Sequence, residues 1–416
     1  MFTFNNYEIK KAEGAIFFKY ELKHKGLSAG QAGETFSFTE KITFDPKRAD
    51  FNRIPESVLT SALDTLSLIL GVSYWKLFCP KALSLPYIAL SAEQAKFWQT
   101  VYTKGLGEFF YKNRIDFRGL VSFPSSKKKT SESQAVPKTN KALVLWGGGK
   151  DSIVTAGLMK KSGKDFDLFS LNEYKVQRET AKIAGKESVI IKRTIDPLLL
   201  ELNKRLDAYN GHVPVSVIYS AAALLASLLY GYDSIVISCE KSANYGNVEY
   251  LGQTINHQWS KSEEFEMMFR DYIKTYITPS ITYASLLRRY SELEITKLFS
   301  KFPQYFSSFS SCNKNFTIVK NTKSLWCGEC AKCAFVFALL AAYVPKEKVL
   351  KIFGKNLFND PELTTIYRSL LGLEKEKPFD CVGTPAETRR AFQLASEKGH
   401  YDKDVIMKEY ESRSEK

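Results

Sequence analysis

Two groups of residues in this chain of 416 have the types and spacing to do chemistry. The first is Gly147-Gly-Gly-Lys-Asp-Ser152, which follows the apolar run Ala142-Leu-Val-Leu-Trp146 and leads into Ile153-Val-Thr-Ala-Gly-Leu-Met159. A strand that ends in bare glycines and turns into a helix is a phosphate cradle. Its backbone N–H groups can approach the oxygens, and the helix N-terminus adds partial positive charge. The loop is neither of the two commoner kinds. A Walker loop needs glycine where Val144 stands and Ser or Thr where Asp151 stands, and a dinucleotide fingerprint needs glycine where Ser152 stands. The plain alternative is a glycine-rich turn that binds nothing.

The second group is Cys312, Cys327, Cys330 and Cys333, the last three at two-residue separation. Knuckles of this kind let thiolates converge tetrahedrally on zinc, and four of them close the shell, so the metal is expected to be structural. An iron–sulfur cluster or a dithiol pair are the alternatives, because spacing alone does not select the metal. Cys79, Cys239 and Cys381 lie outside the cluster and read as buried structural thiols.

The elements that must position these groups can be read from periodicity. After a polar, Lys-rich stretch, assigned as a flexible linker over 121–140, the pattern alternates strand and helix. Strands are expected at 142–146, 167–172, 188–192 and 234–239, and helices at 151–162, 175–184 and 214–230. This predicts an α/β fold with a mostly parallel sheet covered on both faces, its ligands bound beyond the carboxyl ends of the strands. Glu240, Lys241, Asn244 and Asn247 then fall on the ligand side, with His257 in the polar segment that follows. Arg288 and Arg289 are candidates for phosphate or carboxylate; a solvated arginine pair is the bland reading. Glu263–Tyr276, Leu293–Phe302 and Ala334–Tyr343 extend the 141–416 region as helix. Residues 1–120 read as a separate α+β domain with aromatic-rich strands at Phe2–Glu8, Ala15–Leu22 and Thr35–Phe44. Helices follow at Pro55–Leu70 and from Ser91, which forms a capping box with Gln94.

A net charge of +14 favours polyanionic ligands, but lysine is spread along the chain, and Lys127–Lys129 read as solvation rather than a nucleic-acid site. The start, Met1-Phe-Thr-Phe, lacks a signal-peptide pattern, and the uncharged Val213–Tyr232 stretch fits a buried helix better than a membrane span. A cytoplasmic protein without a membrane or nucleic-acid partner is expected, its cysteines reduced.

The 147–152 loop resembles the Ser-Gly-Gly-x-Asp-Ser loop of the PP-loop ATP pyrophosphatases, with Gly147 in place of the first serine. A similar cysteine set follows that domain in the 7-cyano-7-deazaguanine synthases. A wider set of motifs is similar to those of the UDP-N-acetyl-α-D-muramoyl-L-alanyl-L-glutamate epimerases. These are Trp146–Ser152, Ser242-Ala-Asn-Tyr-Gly-Asn247, Ile255-Asn-His-Gln-Trp-Ser-Lys-Ser262, Trp326–Phe335 and Lys377-Pro-Phe-Asp-Cys-Val-Gly383.

The resemblance implies conversion of the terminal L-Glu of a UDP-muramoyl dipeptide to D-Glu in peptidoglycan synthesis, with ATP and Mg²⁺ consumed through an acyl adenylate. It implies that Gly147, Gly148, Gly149, Lys150, Asp151 and Ser152 hold the nucleotide. The proton-transfer candidates are His257, Cys239 and Lys241, and the substrate-binding candidates are Asn244, Asn247, Arg288 and Arg289. The competing readings are a PP-loop enzyme modifying tRNA or a nucleobase, and a nucleotide sensor without turnover.

Overall fold

The computed structural model describes residues 1–24, 33–126, 132–316 and 324–414. Its strands are β1 (Phe2–Lys10), β2 (Ala15–His24), β3 (Glu34–Thr43), β4 (Leu83–Ser84), β5 (Ala142–Leu145), β6 (Phe166–Leu171), β7 (Ser188–Thr194), β8 (Ser234–Ile237), β9 (Val248–Tyr250), β10 (Gln253–Ile255) and β11 (Thr282–Ser285). Among the described residues, β9 and β10 form a small antiparallel ribbon. The other nine strands make one sheet in the order β11-β8-β5-β6-β7-β3-β2-β1-β4.

The five strands from β11 to β7 are parallel, and β5 is where the winding reverses: the chain runs outward through β6 and β7, then returns to β8 on the other side. β6 and β8 are buried at every position, as strands covered on both faces must be. Their pleat sends alternate residues into two cores. Leu143, Phe169 and Ile235 join one, while Val144, Leu168 and Val236 join the other. The first core holds the Val215–Tyr230 helix, buried as its composition requires. The second holds the Lys150–Lys161, Glu292–Phe299 and Ala331–Tyr343 helices.

The expected 1–120 unit does not have a sheet of its own. β3 pairs antiparallel with β7, Ile42 opposite Arg193, so its strands continue the parallel ones. The junction is locked by a buried ion pair in which Arg193 Nε lies 2.5 Å from Glu40 Oε1. The two units also share one hydrophobic core. The described parts of 121–140 are packed rather than free. Val121 and Phe123 are buried, the Val136 N–H donates to Ser280 Oγ at 3.0 Å, and the Asn140 N–H donates to Asp233 Oδ2 at 2.6 Å. The Lys127–Lys129 run lies outside the described residues.

The capping box of Ser91 and Gln94 forms as its spacing predicts. Helices at Lys346–Phe353, Thr364–Leu371, Pro385–Ser396 and Val405–Ser414 complete the C-terminal part. One continuous helical stretch, Glu56–Trp75, is long and apolar enough to cross a membrane, and 78% of its apolar window is buried inside the protein.

Candidate active site

The glycine loop lies beyond the carboxyl end of β5, at the reversal of the sheet, where two neighbouring strands leave a crevice. Gly148 has φ +74°, and a Cβ there would meet Thr180 Oγ1 at 2.8 Å and Val176 Cγ1 at 2.9 Å. A Cβ on Gly149 would meet Ser311 Oγ at 2.6 Å, whereas Gly147 faces open space. Glycine is thus required by backbone and packing at the second position, a side chain at the third would have to displace the Ser311 hydroxyl, and the first leaves the mouth clear. The Lys150–Lys161 helix starts directly from Gly149 as its N-cap, and Ser152 Oγ donates to Gly149 O at 3.0 Å. This bare helix N-terminus fits an anionic phosphate chain.

Lys150 is fully buried and ion-paired to Glu292, also buried, and to Asp151, with Nζ 2.5 Å from Asp151 Oδ1. Burial opposes the charge on Lys150, but the two carboxylates overcome it and keep the ammonium protonated. Burial pushes the Glu292 carboxyl up to about 7 against the pull of Lys150. Asp151, despite its burial, is held below the usual carboxylate range by Lys150 and Lys332. The glycine loop therefore carries its own compensated charges.

Facing this group is a second one, assembled from segments far apart in sequence. Cys381 is half-buried; Lys261 Nζ donates to its Sγ at 3.1 Å, and His257 Nε2 lies 3.7 Å from the same sulfur. The other ring nitrogen of His257, Nδ1, is 2.5 Å from Glu108 Oε2, and His212 Nδ1 is 3.3 Å from that oxygen. The ligand atoms of Glu108, His212 and His257 lie within 4.8 Å of one another, and the 2.5 Å contact between Glu108 and His257 is a hydrogen bond.

Burial works against ionisation of Cys381, but the Lys261 ammonium and His257 override it and hold the thiol down to about 6. Burial likewise lowers His257, and Cys381 and Glu108 outweigh it to raise the imidazole to about 9. His212, desolvated and beside that cation, falls to about 4. The result is a thiolate–imidazolium–carboxylate relay.

The loop that carries Cys381 is fastened on all sides. Asn247 donates to Pro378 O at 2.9 Å while its Oδ1 accepts from the His257 N–H at 2.8 Å, so one buried amide holds both partners. Gln258 donates to Val382 O at 3.2 Å, and the buried Lys332 ammonium donates to Cys381 O. Glu387, in the capping box that begins the next helix, accepts from the Glu292 N–H at 2.8 Å, which ties the loop's end to the Lys150 cluster. Lys332 and Lys261 both act on Asp151, and both contact Cys381, so the two groups share one electrostatic site.

The residues singled out from the sequence fall in different places here. The glycine loop and His257 come together as described. Asn247 braces the site. Asn244 is exposed and its Oδ1 accepts from the Glu263 N–H at 2.8 Å. Arg288 is committed to Glu266 Oε2, Glu240 O and Lys261 O at 2.8–2.9 Å, which braces Lys261; Arg289 is exposed at the surface. Cys239 is buried, and burial pushes its thiol up to about 12. Lys241 is exposed, its backbone N–H bound to Tyr290 O. Cys381, expected to be a buried structural thiol, is half-buried, and Lys261 Nζ and His257 Nε2 face its sulfur.

Glu108, Lys261, Glu292 and Lys332 were not anticipated. Two of the four had a signal, since Lys261 and Lys332 lie inside the Ile255–Ser262 and Trp326–Phe335 motifs, as Cys381 lies inside Lys377–Gly383. Ser238 Oγ and Ser242 Oγ, just after β8, are buried without a partner among the described residues. A cleft of about 560 Å³ opens next to it, bordered by Tyr245, Asn247, Lys377 and Arg389.

The Sγ atoms of Cys312, Cys327, Cys330 and Cys333 all lie within 4.8 Å of one another, with Cys327 and Cys333 at 3.6 Å. Four converging soft donors fit zinc, and no position would remain open for substrate.

The chain was compared with known proteins. Residues 1–286 match the family description "MurL N-terminal domain", and residues 308–416 match "MurL C-terminal domain". A UDP-N-acetyl-alpha-D-muramoyl-L-alanyl-L-glutamate epimerase of Xanthomonas oryzae pv. oryzae is 38% identical over 85% of this chain and 78% of its own length. An epimerase of the same name from Salinispora tropica is 36% identical over 97% of this chain and 87% of its own. The site draws on both matched regions: the glycine loop, His257 and Lys261 come from the first, and Lys332 and Cys381 from the second. The chain belongs to the MurL family.

Proposed function

We propose that this protein epimerises the terminal L-Glu of UDP-N-acetylmuramoyl-L-alanyl-L-glutamate to D-Glu, in the cytoplasm, during synthesis of peptidoglycan precursors. The names of its relatives support the substrate and the outcome. The observation that carries the mechanism is the sharing of Lys261 and Lys332 between a phosphate cradle and an ionised thiol–imidazole group. Activation and carbon-acid chemistry can then occur in one place.

The chemistry explains the combination. An α proton beside a carboxylate is very weakly acidic, because its removal puts two negative charges side by side. When bound, ATP with Mg²⁺ supplies an adenylyl group that neutralises the carboxylate as an acyl adenylate and makes the α proton removable. In this PP-loop reading, backbone N–H groups at Gly147–Gly149 and the Ser152 hydroxyl hold the pyrophosphate oxygens. Lys150 offsets their charge, and Asp151 with Glu292 would hold the metal ion. Zinc on the four cysteines would close the fold near Lys332 without touching substrate. Asn247, Ser242 and the adjoining cleft are suited to the polar muramoyl peptide, with Lys377 and Arg389 at its rim.

The reading is tested by incubating the purified protein with ATP, Mg²⁺ and the UDP-muramoyl dipeptide. AMP, pyrophosphate and D-Glu should appear together. AMP release that instead depends on RNA or a free nucleobase would support the nucleobase-modifying alternative.

A further inference from the structure

Epimerisation needs a group that takes the α hydrogen, and the site offers an unusual one. Of the seven cysteines, four are gathered in the cluster, and burial raises the thiols of Cys79 and Cys239 to about 12. Of the three cysteines outside the cluster, Cys381 is the half-buried one, and Lys261 and His257 from a different segment face its sulfur. We propose that Cys381 is the proton carrier for the α-carbon of the substrate glutamate, aimed by the Glu108–His257 pair and faced by Lys261. The assignment rests on the epimerase reading above.

Three observations support it. Nδ1 of His257 is held by Glu108, which fixes the ring so that Nε2 points at the sulfur. Both nitrogens of His257 are thereby committed, so it acts on Cys381 and is a positioning residue. Lys261, which donates to the sulfur, and Lys332, which donates to the Cys381 backbone carbonyl, also act on Asp151 of the glycine loop, where an activated carboxyl would sit. Finally, a thiol that ionises near neutrality can both accept and return a proton at working pH.

The alternative for such a triad is nucleophilic attack to form a thioester. An acyl adenylate is already an activated acyl group, so a thioester would add no activation, whereas removal of the α proton requires an acceptor in any scheme.

The step balances as follows. The thiolate removes the α hydrogen as a proton; the Cα–H bond breaks and the S–H bond forms. The electron pair moves onto the activated carboxyl as an enolate, opposite the Lys261 ammonium. A second, solvent-exchangeable acid delivers a proton to the other face of Cα. Exchange with water then restores both groups, without a redox change.

The test uses the full-length enzyme in D₂O with ATP, Mg²⁺ and the UDP-muramoyl dipeptide. Isotopic exchange between pyrophosphate and ATP reports activation, and α-deuteration of glutamate reports proton transfer. In Cys381→Ser, α-deuteration should fall by about 10³-fold while pyrophosphate exchange persists. Deuteration at the wild-type rate, or a substrate thioester on Cys381 found by mass spectrometry, would overturn the proposal. Absence of pyrophosphate exchange in the wild type would defeat the acyl-adenylate part of the reading above instead. Glu108→Gln keeps the test open should the serine variant not fold. It should move the acidic limb of the deuteration profile upward from about pH 6, and an unmoved limb counts against the relay.

Discussion

The two thiol sites of this protein differ in how they are built. The cluster of Cys312, Cys327, Cys330 and Cys333 is a local object, with three ligands supplied by one knuckle at the start of the Ala331–Tyr343 helix. The Cys381 site is convergent: Glu108, His257, Lys261, Lys332 and Cys381 come from four separate elements and meet only after folding. Thiols that gather on one another suit a closed metal shell. A thiol facing imidazolium and ammonium becomes a reactive anion. The same side chain thus serves structure or chemistry according to its neighbours, and substitutions should separate the two roles.

The largest effect is expected in the cluster. Cys330→Ala should lose bound zinc and destabilise the protein by about 4 kcal/mol or more, seen by elemental analysis and thermal unfolding. Cys381→Ser should leave both readouts near wild type. A stable, zinc-free Cys330→Ala protein would break the comparison.

Next is a convergent pair with a purely structural duty. Glu40→Ala strands Arg193 between β3 and β7 and should cost about 3–5 kcal/mol in denaturant unfolding, because a buried cation is left unpaired. Neutrality there would mean that the two halves of the sheet are not held by this lock.

Gly148→Ala should cost about 1–2 kcal/mol for the left-handed backbone alone, with the contact to Thr180 added. Its clearer consequence is loss of pyrophosphate exchange, since the cradle must shift to admit the methyl group.

The smallest perturbation is chemical. Iodoacetamide should alkylate Cys381 with a midpoint near pH 6, because the lowered thiol is ionised above that value and protonated below it. The groups that face it are His257 and Lys261 after β10, Lys332 on the Ala331–Tyr343 helix and Lys377 on its own loop. His257 and Lys261, both raised above their ordinary values, stay cationic through the pH 6–8 window, whereas burial lowers Lys377 to about 8, so its charge fades at the top of that window; His257 loses its charge only through about 9. Turnover should therefore rise through about pH 6 and decline above about 9. A midpoint near 8.5, the ordinary value for a free thiol, would dissolve the distinction between the two sites.

The same contrast explains what could be read from the amino-acid sequence. Local information sufficed for the strand–glycine–helix unit at 142–161, for the capping box at Ser91 and for the helix at Glu263–Tyr276. Each is specified by periodicity or by a cap within its own segment. The position of the glycine loop at the carboxyl end of a strand could also be read, because parallel βα units obey few topologies, but the strand order that makes β5 the point of reversal could not.

The continuation of β7 into β3 was not legible, since pairing across 150 residues leaves no mark on either strand alone. The surroundings of Cys381, although the residue lies inside the Lys377–Gly383 motif, were hidden for a related reason. A single cysteine carries no spacing, and its meaning comes from Lys261 and His257, more than a hundred positions away. Glu108 had no signal at all: it is one glutamate on a short helix otherwise dominated by aromatics.

The account stands on activation and proton transfer sharing one site. The most direct measurement is the ratio of α-deuterium incorporated to AMP released when the UDP-muramoyl dipeptide is turned over in D₂O. About one deuterium in each D-Glu product, formed only with AMP, is expected. D-Glu formed without AMP, or AMP released while the α hydrogen is retained, would contradict it.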